Sequence, residues 1–228
     1  MPGFTGFPIE ALTFYDGLRR DNSKSYWEAN KALWERSARD PMRALLAEMD
    51  ETYGPFHLFR PYRDVRFARD KSPYKTQIAA FGESEGGASY YVALDADGLM
   101  VLSGYYVLAP DQIARFREAV AAESTGAMLP ELIATVQAKG LSVGPGREEP
   151  LKRVPRPYPA DHPRADVLRW KGVVAGRQLR AAPWLQTAEA KTRITDVWEA
   201  AAPLSAWLDR HVGASREMPV ELRARLSR

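Results

Sequence analysis

The chain has 228 residues, 45% of them hydrophobic and 27% charged, with a formal net charge of +3; this is ordinary for a folded chain long enough to bury a core, and it excludes a disordered polymer. There is no cysteine, so disulfides, thiolate catalysis and thiolate metal sites are ruled out. Three histidines without metal-ligand spacing (His57, His162, His211), no secretory signal and no apolar run near the ~20 residues that span a bilayer predict a soluble cytoplasmic protein without metal, cofactor or membrane association.

In chain order, P-G-F-T-G-F-P predicts an irregular arm whose Phe4 and Phe7 insert into a groove. Pro8 suits a helix start, and Ile9, Leu12, Tyr15 and Leu18 follow at helical spacing. Asp21, Asn22 and Ser23 can cap a second helix over 24–38, where Tyr26, Trp27, Leu33 and Trp34 form an apolar stripe that also carries Asn30. These aromatics read as core. Asp40-Pro41 starts a third helix with Met42, Leu45, Leu46 and Met49 on its apolar face, ending near Tyr53-Gly54-Pro55.

The densest charge follows, in R-P-Y-R-D-V-R-F-A-R-D-K-S-P-Y-K-T from Arg60 to Thr76, with six cations against Asp64 and Asp70. Residues 56–68 read as an extended strand with Pro61 at a bulge or edge, although arginines at every third position also suit a helical turn. The loop after it is lengthened by Gly82, Gly86 and Gly87. Two β-rich runs around D-A-D-G predict a hairpin over about 89–108, with Gly98 at positive φ. Helices are predicted from Pro110 (Ile113, Phe116, Val120 and Ala121 inward) and over 128–139 (Leu129, Leu132, Ile133 and Val136 inward).

Residues 141–163 read as a long Gly/Pro-rich surface connection. A short helix over 166–170 and a strand over 172–176 follow. A helical C-terminus then carries Ile194, Val197, Trp198 and Ala201 and, beyond Pro203, Leu204, Trp207, Leu208 and His211. There is no internal repeat. The order of elements predicts an α+β fold, an antiparallel or mixed sheet against several helices, as one domain over 1–212 with a basic, mobile tail over 213–228.

Several segments together resemble an uncharacterised family of bacterial and fungal proteins, a domain of unknown function. They are F-x-G-F-P at the start, E-A-N-K at 28–31, R-D-V-R-F-A-R-D-K-S-P-Y-K-T, and L-K-R-V-P-R-P-Y-P-A-D-H-P followed by L-R-W-K. The family forms are N-N-x-x-W-F-E-x-N-K and R-F-S-K-D-K-S-P-Y-K-T. Here Asp21-Asn22 stands for Asn-Asn, Tyr26-Trp27 for Trp-Phe, Ala68 for Ser and Arg69 for Lys. The resemblance covers roughly 4–210 and implies one globular domain; it assigns no reaction.

Three functional readings stand on the residues. The first is a site for an anionic ligand such as a phosphorylated small molecule, formed by Arg63, Arg66, Asp70, Lys71, Ser72, Tyr74, Lys75 and Thr76; arginine forks match phosphate oxygens and lysine adds point charge. Its bland counterpart is a network in which Asp64 and Asp70 pair these cations and hold the loop down. The second is an enzyme using Asp161, His162 and Lys171 in the second basic segment, residues 147–180, with nine Lys/Arg against four Asp/Glu. No nucleophile elbow, phosphate loop, dinucleotide fingerprint or H-E-x-x-H accompanies them. The third is a nucleic-acid or protein-binding module, with Tyr62, Tyr74 and Tyr158 as stacking platforms. An acidic first quarter, seven Lys/Arg against nine Asp/Glu over 1–56, weighs against nucleic acid. The oligomeric state is left open.

Overall fold

The computed structural model describes residues 3–66 and 69–217. Helices α1 (Ile9–Arg20), α2 (Lys24–Trp34) and α3 (Asp40–Tyr53) come first, with a π-helical turn at Glu35–Arg39 joining the last two. Strands β1 (His57–Leu58), β2 (Ile78–Glu83), β3 (Ser89–Asp95) and β4 (Gly98–Tyr105) precede α4 (Pro110–Ala121), α5 (Glu123–Gly126) and α6 (Leu129–Ala138). The chain continues through β5 (Ser142–Gly144), α7 (Ala165–Leu168), β6 (Val173–Arg180), a 3-10 turn at Pro183–Gln186 and α8 (Glu189–His211). The strands form one six-stranded antiparallel sheet in the order β1-β2-β3-β4-β6-β5, so the fold is α+β. By its internal contacts the chain divides into two compact units. One comprises residues up to Gly82 with Tyr91–Val101 and Gln178–Thr195; the other comprises Glu83–Tyr90, Leu102–Arg177 and residues from Asp196 onward.

In the first unit the N-terminal arm is anchored as its sequence predicts. Phe4 and Phe7 are buried and meet edge to face. The Phe4 N–H donates to Glu48 Oε1 at 2.6 Å, and the Phe7 N–H to the Leu185 carbonyl at 2.8 Å. The apolar faces of α1 to α3 form the core through Phe14, Tyr15, Leu18, Trp27, Trp34, Met42, Leu45 and Met49. Ser23 caps α2 by accepting the Tyr26 N–H at 3.1 Å. The Trp34 indole N–H donates to the Tyr15 hydroxyl at 2.9 Å, so neither buried polar group is orphaned. Asn30 is half-buried, and its amide donates to the Tyr26 carbonyl at 2.9 Å. The β3–β4 turn is the predicted one: Gly98 has φ of +131°, and a Cβ there would lie 2.2 Å from the Leu179 carbonyl oxygen, which no larger residue can satisfy.

Two expectations for this unit are corrected. The strand expected over 56–68 is only His57–Leu58, paired with Phe81 and Ala80. Pro61 offers no N–H to a ladder, and the backbone beyond it bonds locally instead. Tyr62 bridges Tyr74, the Arg63 N–H donates to the Pro73 carbonyl at 2.9 Å, and the Lys75 N–H to the Pro61 carbonyl at 2.8 Å. Residues 61–63 and 73–75 are thereby clasped together; Phe67 and Ala68, part of the expected strand, lie outside the described residues. Second, the segment read as a loop lengthened by Gly82 is β2, with Ile78 to Gly82 all buried. Its small residues hid it: Gly82 lies against the Tyr53 carbonyl and the Phe56 ring, where a Cβ would clash.

The second unit holds α4 to α7, β5 and most of α8. Its core contains Phe116, Val120, Leu129, Leu168, Trp198, Trp207 and Leu208. Leu129 and Val136 are the buried residues of α6, while Leu132 and Ile133, expected inward, are half-buried. The connection read over 141–163 contains β5, whose Ser142, Val143 and Gly144 pair with Gly176, Ala175 and Val174. Helix α8 runs unbroken through Pro203. Asp209 accepts from the Ser84 hydroxyl (3.0 Å), the Ala88 N–H (2.9 Å) and the Tyr105 hydroxyl (2.9 Å), tying α8 to the turn after Glu83. His211 lies against the Trp207 ring, and burial, then nearby Arg210, hold its imidazole below the usual range. Of the tail expected over 213–228, residues 218–228 lie outside the described residues.

Candidate anion-binding groove

The charged loop spends much of its charge internally. Arg66 forms a fork with Asp64, Nε to Oδ1 at 2.9 Å and Nη2 to Oδ2 at 2.7 Å. Arg63 pairs with Asp70, whose other oxygen accepts the Ser72 N–H at 2.9 Å and hydroxyl at 2.6 Å. The Lys71 ammonium donates to the Val65 carbonyl at 3.0 Å, and the Lys75 ammonium stands 5.0 Å from the centre of the Phe59 ring. Arg66 holds the Asp64 carboxyl down at about 2. Ser72 first, then Arg63, does the same for Asp70, also at about 2. Thr76 is half-buried beyond the clasp.

Tyr74 is buried. Its ring stacks flat on Trp27, with centroids 4.5 Å apart and planes at 9°. Its backbone is held on both sides by one side chain, since the Tyr74 N–H donates to Asn22 Oδ1 at 3.0 Å and Asn22 Nδ2 donates to the Tyr74 carbonyl at 3.1 Å. The two segments that carry the resemblance in this unit, around 21–31 and 63–76, are thus physically joined.

In front of Trp27 lies a groove of about 850 Å³, formed by α2, the π turn, α3 and residues 56–62. Its wall is aromatic and apolar, with Trp27, Trp34, Phe56, Phe59 and Tyr62, and Leu46 and Leu58 between them. Four cations line it, Lys31, Arg39, Arg43 and Arg60, against the two carboxylates Glu35 and Asp50. Arg39 is committed, with Nη1 at 2.6 Å from Glu35 and Nε at 2.9 Å from Asp40. Asp50 accepts the Phe56 N–H at 3.1 Å. Lys31, Arg43 and Arg60 are exposed and form no ion pair among the described residues.

The helical side of the groove has a simple sequence origin. Lys31, Glu35, Arg39, Arg43 and Ala47 recur every fourth residue and all line it. In an α-helix such steps advance about 40° around the axis. The wider π turn at Glu35–Arg39 takes back part of that advance, so the series stays on one side. Sequence reasoning followed the apolar stripe and missed this polar one. The i, i+4 spacing could have revealed it, but not its opposition to Arg60 and Tyr62.

The second basic segment through Arg177 belongs to the other unit. There the Arg164 N–H donates to His162 Nδ1 at 3.0 Å, which leaves the proton on Nε2, 3.4 Å from the Ala121 carbonyl oxygen. Both ring nitrogens are therefore occupied by backbone groups. Asp161 is exposed and forms no ion pair among the described residues, and Lys171 pairs with Glu148 at 2.8 Å. Arg164 is buried and donates to the Val120 and Ala121 carbonyls at 2.6 and 3.0 Å, closing the end of α4. The arrangement of His162 and Arg164 is a helix cap. Among the described residues no cluster of His, Asp or Glu could hold a metal ion, and no helix is long and apolar enough to cross a membrane.

No curated protein and no solved structure matches this chain. A family model described as a conserved hypothetical protein (DUF2461) matches residues 10–207, a span that contains the groove, the clasped loop and the His162 corner, and the chain belongs to that family.

Proposed function

We propose that this protein binds an anionic, phosphate-bearing small molecule, and that the groove between α3 and residues 56–62 receives it. The observation that carries this reading is the pairing of an apolar aromatic wall with Lys31, Arg43 and Arg60, three cations without ion-pair partners among the described residues. A concave, largely apolar site with a few convergent polar groups is the usual form of a small-ligand pocket, and this one falls within the usual size range. Arginine forks on opposite sides give a phosphate two sets of donors. The Arg63–Asp70 and Arg66–Asp64 pairs support a different role for the loop. It holds the groove's edge in place through the Tyr62–Tyr74 bridge and the stack of Tyr74 on Trp27.

A thermal-shift panel of inorganic phosphate, sugar phosphates and nucleotides tests this, because a ligand that binds only the folded state raises the melting temperature by mass action. At least one phosphate compound is expected to raise it, and Arg43→Ala/Arg60→Ala to abolish the rise. A rise that survives this double substitution, or no rise with any compound, overturns the proposal.

A further inference from the structure

Tyr62 is one of few large apolar residues left exposed, at 48% of its surface, and it stands on the rim of the groove. It is not a loose side chain. Its backbone bridges Tyr74, hydrogen bonds on both sides fix the neighbouring residues, and its ring leans on Trp27 and Tyr74 at 6.1 and 5.6 Å between centroids. An exposed aromatic ring held in this way offers a stacking face with little rotamer entropy left to lose. Arg60 lies two residues earlier, before Pro61, and lines the same groove. Arg43 approaches from α3. A flat face and a pair of cations therefore line the same groove.

Resting on the binding reading above, the geometry points to the ligand's class: an anionic aryl compound, whose planar ring stacks on Tyr62 and whose phosphate or carboxylate group meets Arg43 and Arg60. Tyr62 is then the residue that distinguishes a flat ring from a saturated one of similar size. Stacked aromatic pairs gain beyond the area they bury, and a puckered ring with the same number of carbons forgoes that gain.

Calorimetric titration of the full chain with phenyl phosphate, cyclohexyl phosphate and inorganic phosphate tests the inference. Phenyl phosphate is expected to bind roughly 2- to 10-fold more tightly than cyclohexyl phosphate. Tyr62→Phe should keep that ratio and Tyr62→Leu should bring it to one, with the melting temperature of each variant confirming its fold. Equal binding of the two esters, lost in Arg43→Ala/Arg60→Ala, overturns the aryl class and leaves the binding reading standing. A preference for phenyl that persists in Tyr62→Leu overturns the role of Tyr62. No binding of any of the three probes overturns both.

Discussion

The groove and the loop beside it are both rich in cations, yet they differ in what surrounds those cations. In the loop, Arg63 and Arg66 each have a carboxylate within a few residues, and Lys71 has a carbonyl. Short sequence separation makes such pairs cheap to form, because little chain entropy is lost in bringing the partners together. In the groove, Arg43 sits on a helix and Arg60 follows a short strand, and no carboxylate pairs with either among the described residues. The difference teaches that the density of charge along a chain is a poor guide to its availability. Interleaved Asp and Arg neutralise each other, whereas cations brought together from distant elements keep a field for a ligand.

Four results can break or sharpen that contrast. The largest effect belongs to Tyr74→Ala. Removing a buried ring stacked on Trp27 is expected to cost about 3–5 kcal/mol of stability, readable by denaturant unfolding, because it leaves a cavity behind the groove's wall. Next, Arg43→Ala and Arg60→Ala are each expected to weaken phosphate-ester binding roughly 10- to 100-fold, the range for hydrogen bonds to charged groups, with little change in unfolding free energy. Asn22→Ala removes both bonds to the Tyr74 backbone and is expected to cost about 1–3 kcal/mol.

The smallest effect is the loop's response to pH. Asp64 and Asp70 are depressed from 3.8 to about 2 in the folded chain. Their contribution is therefore fully present above about pH 4 and lost as pH falls towards 2. Melting temperatures of the wild type and of Asp64→Asn/Asp70→Asn should differ by a constant amount from pH 5 to 8 and converge below 4. A difference that changes between pH 5 and 8 contradicts the loop assignment.

The α+β class, the hairpin with its turn at Gly98 and most of the buried faces of α2 and α3 were legible in the sequence, because each rests on local periodicity or turn chemistry. The faces of α1 and α4 were legible only in part: Ile9, expected inward, is 50% exposed, Leu12, Ile113 and Ala121 are half-buried, and the buried Phe14 was missed. Strand β2 was not legible, since Ile-Ala-Ala-Phe-Gly is apolar on both faces and its strand character comes from pairing with β1 and from Gly82 packing on Tyr53. The length of β1 was misjudged because the clasp between Tyr62 and Tyr74 is a long-range choice that Pro61 only hinted at. The loop's charges were legible; their mutual neutralisation was foreseen only as an alternative. The groove needed two things no local pattern supplies: the π turn that keeps Lys31, Glu35, Arg39 and Arg43 on one side, and the approach of Arg60 and Tyr62 to that side.

The most direct test of the central claim follows the arginine side chains one by one. Nε–Hε resonances of Arg43, Arg60, Arg63 and Arg66 can be assigned by single substitutions and followed by NMR while phenyl phosphate is added. Saturable shifts at Arg43 and Arg60, with Arg63 and Arg66 unmoved, are the predicted result. Shifts at Arg63 and Arg66 with Arg43 and Arg60 silent would place the anion on the loop and contradict the account.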